Sequence, residues 1–174
     1  DSGKLYFVDR KGQVVIQPGD YDAGEMDKVN GLLALKDNST DKWGIFDVST
    51  GKQVVSFKYD AISFAGTNRL VVVKDNVKNL IDMTSGKSMY AAQTEATIEP
   101  FNNDTVTWVH TGKDGYTIID NDGHVLFRDT NKVIEDAKSF NHGFSSVKSK
   151  GKWGIMNSKG EWIVQPTYDA VNVL

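Results

Sequence analysis

Short apolar bursts alternate with polar turns along the whole chain, and the bursts return at a fixed interval. Lys42-Trp43-Gly44-Ile45-Phe46-Asp47 comes back as Lys152-Trp153-Gly154-Ile155-Met156-Asn157. Each is followed by a glycine, Gly51 or Gly160, then a Val/Ile run, then Tyr59-Asp60-Ala61 or Tyr168-Asp169-Ala170. Three weaker copies fit the same frame. Its polar landmark is Asp9, Asp47, Asp82, Asp120 and Asn157, at steps of 38, 35, 38 and 37 residues. Its turn glycine is Gly12, Gly51, Gly86, Gly123 and Gly160, at steps of 39, 35, 37 and 37. An apolar anchor follows at Met26, Phe64, Phe101 and Phe140. A period held by independent landmarks marks a tandem array, here one repeat domain over 1–174 with a unit of about 37 residues. The copies lie at approximately 4–40, 41–76, 77–112, 113–150 and 151–174, the last incomplete.

Each unit reads as three short strands bounded by Gly, Asn, Asp and Ser. The first is Trp43 to Phe46, the second Gln53 to Phe57, and the third Leu70 to Lys74, with counterparts at Leu32 to Lys36, Val106 to His110 and Phe144 to Lys148. The first two are joined by a hairpin. An Asp or Asn enters its turn, where the side chain accepts a bond from the backbone two residues on. A Gly leaves it, which places Gly51, Gly86 and Gly160 at positive φ.

Neighbouring residues of a strand point to opposite faces, yet two adjacent slots of the first strand are apolar in every copy: Phe7, Ile45, Leu80, Ile118, Ile155 and then Val8, Phe46, Ile81, Ile119, Met156. The second strand repeats this with Val15, Val54, Met89, Leu126, Ile163 and then Ile16, Val55, Tyr90, Phe127, Val164. Sheets with one wet face alternate instead, so each small sheet is expected to be covered on both faces, with Ile45, Phe46, Ile118, Ile119, Val54 and Val55 buried. Small antiparallel sheets stacked as in a β-propeller-like ring, or as an open curved stack, meet this condition equally. The fold class is all-β.

Composition narrows the function. A net charge of −3 over 174 residues lacks the basic footprint of nucleic-acid binding. No apolar run approaches the roughly 20 residues that span a bilayer. With no cysteine, a disulfide framework and a thiolate metal site are both excluded, and an oxidising compartment is tolerated. The sequence opens on Asp1 without Met or signal peptide, as expected of a mature or excised piece.

Lys-Trp-Gly-Ile-x-Asp/Asn, a turn glycine, a Val-rich strand and Tyr-Asp together resemble the WG-repeat family of bacterial proteins, also called KWG repeats. The resemblance is specific at Trp43-Gly44 and Trp153-Gly154 and holds by register where Leu5-Tyr6, Lys78-Asn79 and Tyr116-Thr117 replace Trp-Gly. It implies a repeat scaffold without defined catalytic residues, often in envelope or secreted proteins, with a β-propeller-like fold, here as part of a larger protein.

The candidate chemistry is sparse. Trp43 and Trp153 recur in a slot shared with Leu5, Tyr116 and Lys78, which reads as packing; Gly44 and Gly154 beside them permit close approach of a neighbouring strand or ring. Trp108, aligned with Ala34, Val72 and Ser146, and Trp162, aligned with Val14, Gln53, Ser88 and Val125, occupy variable slots and are candidate exposed binding aromatics. Arg69 and His142 are further unshared residues of types that anchor interfaces. His110, His124 and His142 have no metal spacing among them. Asp120-Asn121-Asp122-Gly123 begins like a calcium loop but lacks the later acidic ligand, so it reads as a turn. No phosphate loop or nucleophile elbow is present.

No catalytic residue, metal site or cofactor is therefore expected. Three function classes are weighed: a non-catalytic scaffold for a protein partner, a carbohydrate or cell-wall binding module resting on Trp108, Trp162 and the tyrosines, and an enzyme with a site at a ring's mouth. The first is favoured, in the cell envelope or outside a bacterial cell, with no nucleic-acid partner and no membrane insertion.

Overall fold

A computed structural model describes residues 4–174, all of whose regular elements are β-strands. A two-stranded sheet opens the chain, from β1 (Leu5–Val8) and β2 (Val14–Gly19). Four four-stranded antiparallel sheets follow. The first holds β3 (Tyr21–Asp27), β4 (Leu32–Asp37), β5 (Lys42–Asp47) and β6 (Gln53–Tyr59); the next, β7 (Ala61–Gly66), β8 (Arg69–Lys74), β9 (Val77–Asp82) and β10 (Ser88–Gln93). Then come β11 (Thr97–Ile98), β12 (Val106–Thr111), β13 (Gly115–Asp120) and β14 (Val125–Arg128), and finally β15 (Asp136–Ala137), β16 (Phe144–Ser149), β17 (Lys152–Asn157) and β18 (Trp162–Tyr168). Each is an up-and-down meander of the β-propeller-blade kind. The chain forms two compact units, Asp1–Ser88 and Met89–Leu174.

The four-stranded sheets have one strand more than the three that the sequence predicts. The segments opening at Tyr21, Ala61, Thr97 and Asp136 pair with β4, β8, β12 and β16. Two of these strands are only two residues long, too short for an alternation signal. The sheets are also staggered against the sequence copies. Each four-stranded sheet takes its first two strands from one copy and its last two from the next, so β3 and β4 of copy 4–40 pair on with β5 and β6 of copy 41–76.

The two inner strands are covered on both faces, as the paired apolar slots require. In unit 1, Leu33 and Phe46 pack with Ile16 on one side of their sheet, while Ala34, Ile45 and Val55 pack with Leu70, Val72 and Ile81 on the other. In unit 2, Ile118 packs with Trp108, Val147 and Met156, and Ile119 is buried as well. The outer strand does not follow. Val54 is 44% exposed, and Leu126 and Ile163 are exposed too, although Val55 is buried. The register explains this correction. Ile45 pairs with Val55 and Phe46 with Gln53, which leaves Val54 as the extra residue of a β-bulge. Leu126 and Ile163 hold the same place. A bulged residue has no partner across the ladder, and these strands are sheet edges.

The hairpin turns form as the sequence predicts. Gly51, Gly86 and Gly160 adopt φ of +72°, +73° and +75°. The side chain of the entering residue accepts the backbone N–H two residues on, Lys11 N to Asp9, Ser49 N to Asp47, Asp122 N to Asp120 and Lys159 N to Asn157, at 2.8 to 3.0 Å. The glycines also make room. A Cβ at Gly51 would overlap the carbonyl oxygen of Val15, the bulged residue of the preceding sheet, and a Cβ at Gly123 that of Met89. At Gly86 there is nothing within 4 Å.

Lysine and aspartate of the recurring motifs meet at the other end of each unit. The Lys42 ammonium bonds the Asp60 carboxylate, and Lys152 bonds Asp169. Lys-Trp-Gly and Tyr-Asp thus sit on adjacent strands, with Trp43 opposite Tyr59 and Trp153 opposite Tyr168.

Candidate functional site

The connectors between successive sheets set where the surface opens. In unit 1, Asp20 alone joins β2 to β3 and Asp60 alone joins β6 to β7. In unit 2 the connectors are residues 94–96 and 129–135. The longer one is shaped by Asp129, which is buried and whose carboxylate accepts the backbone N–H groups of Val133 and Ile134 at 3.2 and 2.8 Å. Lys132 then reaches the carbonyl of Lys113 at 2.8 Å.

Between these connectors lies a crevice of about 300 Å³. Ala91, Ala96 and Val109 give it apolar walls, and Tyr90, His110 and Arg128 add hydrogen-bonding groups. A second recess of about 340 Å³ shares His110, Thr111 and Gly115 with the first and reaches Lys132 and Glu135. His110 is fixed on the wall between them. Its Nε2 donates to Glu99 Oε1 at 2.9 Å, and its ring stacks on Tyr116 with centroids 5.1 Å apart and planes at 21°. Tyr116 meets Trp108 edge-on at 5.7 Å, and Trp108 stacks on Phe140 at 5.2 Å. Burial, reinforced by Asp136 and Glu99, pushes the Tyr116 hydroxyl above its ordinary pKa, so it stays protonated at neutral pH. A rigid aromatic column thus supports a wall carrying donors and acceptors. That chemistry suits recognition of an amphipathic group.

The residues singled out from sequence fall elsewhere. Trp108 is only 2% exposed and lies in the core of unit 2, where Nε1 donates to Ser145 Oγ at 2.9 Å. This corrects its assignment as an exposed aromatic. Strand register also corrects one member of its slot. Trp108 pairs with Ile118, Ala34 with Ile45 and Val71 with Leu80, so Val71, not Val72, shares its slot. Trp162 is half-buried against the same core cluster. Arg69, in the slot of Leu32 and Val106, bonds Asp82 at 3.1 Å with its side chain largely covered. His142 is exposed in a hairpin turn at φ +52°, beside Asn102, Asn103 and Asp104 in a polar recess. Arg69 belongs to unit 1 and the other three to unit 2; none of the four lines the His110 crevice.

Gly44 and Gly154 are buried against the bulged outer strand: a Cβ at Gly44 would stand 2.6 Å from the Val55 carbonyl oxygen, and one at Gly154 would overlap that of Val164. Trp43 packs against the unit 1 core, its ring filling the space over Gly24. Trp153 lies beneath the Lys138 ammonium, 5.2 Å from the ring centroid. The side chains of Asp120, Asp122 and His124 converge within 4.8 Å. Asp120 there accepts the His124 backbone N–H and contacts its ring nitrogen at 3.0 Å, in keeping with a turn.

A search of the curated proteins found no match. Among solved structures, a eukaryotic initiation factor matches with a TM-score of 0.59 at 10% identity, over 88% of this chain and 46% of that one. Hsv2 from Kluyveromyces lactis, with loop 6CD replaced by a Gly-Ser linker, matches with a TM-score of 0.54 at 14% identity, over 92% of this chain and 59% of that one. The WD40 domain of SCAP from fission yeast gives 0.43 at 10% identity, over 84% and 44%. The chain spans about half the length of these structures. At such identities the likeness shows the fold, an all-β and β-propeller-like array of small sheets. The family model of the WG-containing repeat matches residues 7–40, 43–77 and 153–173, just over half of the chain. Two of these stretches open on Trp43-Gly44 and Trp153-Gly154, one residue past the lysines that pair with Asp60 and Asp169, and carry both of those aspartates; the chain belongs to the WG-repeat family.

Proposed function

We propose that this chain is a non-catalytic scaffold for protein–protein interaction, forming part of a larger bacterial envelope or secreted protein. One observation carries the reading: what the copies share is used by the fold, and the departure of unit 2 from the short connectors of unit 1 opens the surface. The recurring Asp and Gly make turns, the recurring Lys and Asp pair, and the recurring apolar slots fill the inner strands. The crevice beside His110 arises where unit 2 departs from the repeat through its longer connectors. Binding on loops held by a rigid framework is a general use of such architecture. The envelope or secreted setting is carried by the family resemblance alone.

The polysaccharide alternative drew on Trp108, Trp162 and the tyrosines, and the burial of Trp108 removes that residue from its support. Parallel pull-downs against an extract of the source cell and against its wall polysaccharide separate the two. Retention of a defined protein that survives washing supports the scaffold; retention on polysaccharide alone overturns it. Fractionation of the source cell tests the setting, and a cytoplasmic protein would contradict it.

A further inference from the structure

The crevice of unit 2 corresponds to a space that unit 1 fills with one of its own side chains. In unit 1, Tyr59 is 6% exposed and packs in one cluster with Val55 and Val72. Strand register gives the counterparts. Val55 occupies the slot of Tyr90, and Val72, two residues before Lys74 on β8, occupies that of Val109, two before Thr111 on β12. Tyr90 and Val109 both line the crevice. Tyr59 stands four residues beyond Val55, whereas four residues beyond Tyr90 stands Thr94, which is exposed and off the crevice wall. The three-residue connector after β10 carries the chain away at this point, where Asp60 alone follows β6. Unit 2 therefore keeps one wall of this slot, Val109 for Val72, changes the other from Val55 to Tyr90, and lacks the ring that Tyr59 places between them.

We propose that this crevice is a socket for a tyrosine side chain of the partner protein, an assignment that rests on the scaffold reading. The apolar walls accept the ring. Arg128 at the rim is exposed and has no ion-pair partner among the described residues, so its guanidinium is free to lie over an aromatic face. The mixed lining leaves the phenolic tip a polar exit, which suits a side chain with one apolar and one wet end. Buried tyrosines in preformed pockets are also the side chains on which interface energy concentrates.

The test titrates N-acetyl-tyrosinamide into isotopically labelled protein and follows the resonances of Ala91, Ala96 and Val109. Saturable shifts confined to these residues are expected, with N-acetyl-leucinamide at least about tenfold weaker, a difference of about 1.4 kcal/mol. Two variants fill the socket: Val109→Phe from the wall, and Thr94→Tyr by restoring the counterpart of Tyr59. A melt establishes which of them is folded, and the folded one should lose the shifts. Absent saturation, an equal response to the leucine amide, or undiminished shifts in a folded filled variant overturns the socket. Capture from source-cell extract separates this from the scaffold reading. If wild type and filled variant retain the same protein equally, the socket fails and the scaffold stands. If the amide binds as expected but no protein is retained, the scaffold fails and the aromatic site stands.

Discussion

The indole Nε1 of Trp108, on β12, donates a 2.9 Å hydrogen bond to the Oγ of Ser145, on β16, so the two sheets of unit 2 are joined by a polar contact inside their shared core. Ser145 passes the bond on, donating to the carbonyl of Lys138 at 2.6 Å. A large aromatic is admitted at Trp108 because its polar hydrogen has a partner.

Trp108→Ala should lower stability by about 3–5 kcal/mol, the usual cost of emptying an aromatic core position. Ser145→Ala should cost about 1–3 kcal/mol by leaving the indole N–H buried and unpaired. Urea melts check both. A Trp108→Ala variant of wild-type stability with weakened partner binding would return the residue to the surface.

The two apolar slots of the outer and inner strands should respond unequally. Ile118, fully buried, should cost about 2–5 kcal/mol when changed to Ala. Val54→Ala, at the bulge, should stay within about 0.5 kcal/mol, as exposed substitutions do. Equal losses in denaturant titrations would contradict the bulge.

Gly51 and Gly86 share the same positive φ but not the same surroundings. Gly86→Ala should suffer backbone strain alone, about 1 kcal/mol or somewhat more. Gly51→Ala adds overlap with the Val15 backbone, which cannot rotate away, and should be the more damaging of the two. Comparing their melting midpoints tests whether the turn is set by φ alone.

The pair Lys42–Asp60 should make stability depend on acid. The Lys42 ammonium holds the Asp60 carboxyl below its ordinary range, and Lys152 does the same for Asp169. A carboxyl depressed in the folded state contributes stability in full above its unfolded pKa of about 3.9 and loses it as pH falls through the folded value. Wild type should therefore exceed Asp60→Asn in melting midpoint at pH 7, and the gap should close as the pH is taken below the folded pKa. A gap unchanged at low pH would show that the charge is not responsible.

The repeat, the all-β class, the turns and the inner core were legible because each rests on local chemistry that recurs. Asp47 and Gly51 announce a hairpin whatever surrounds them, and Ile45-Phe46 announces a strand covered on both faces. Less legible was everything set by pairing across strands. Val54 looks like Val55 in sequence, and only the register of Phe46 with Gln53 shows it to be the bulge. The two-residue strands Thr97–Ile98 and Asp136–Ala137 carry too little pattern to be seen. At the site, the drop from Tyr59 to Thr94 and the lengthened connectors were present in the letters, but an empty slot has meaning only once its walls are known. Trp108 drew attention by its variability, and variability in an array also marks places where neighbouring sheets need different volumes.

The half-sheet offset between sequence copy and sheet has a consequence for how such a protein grows and fails. Because each of the three inner copies lends two strands backward and two forward, duplicating one such copy-length stretch of the gene adds one complete sheet wherever the breakpoints fall within the repeat. No break need coincide with a loop between sheets. The same clasping binds neighbouring copies mechanically. A pull that extracts Leu32–Asp37 tears the ladder it shares with Lys42–Asp47, so strain applied to one copy opens a sheet belonging equally to the next.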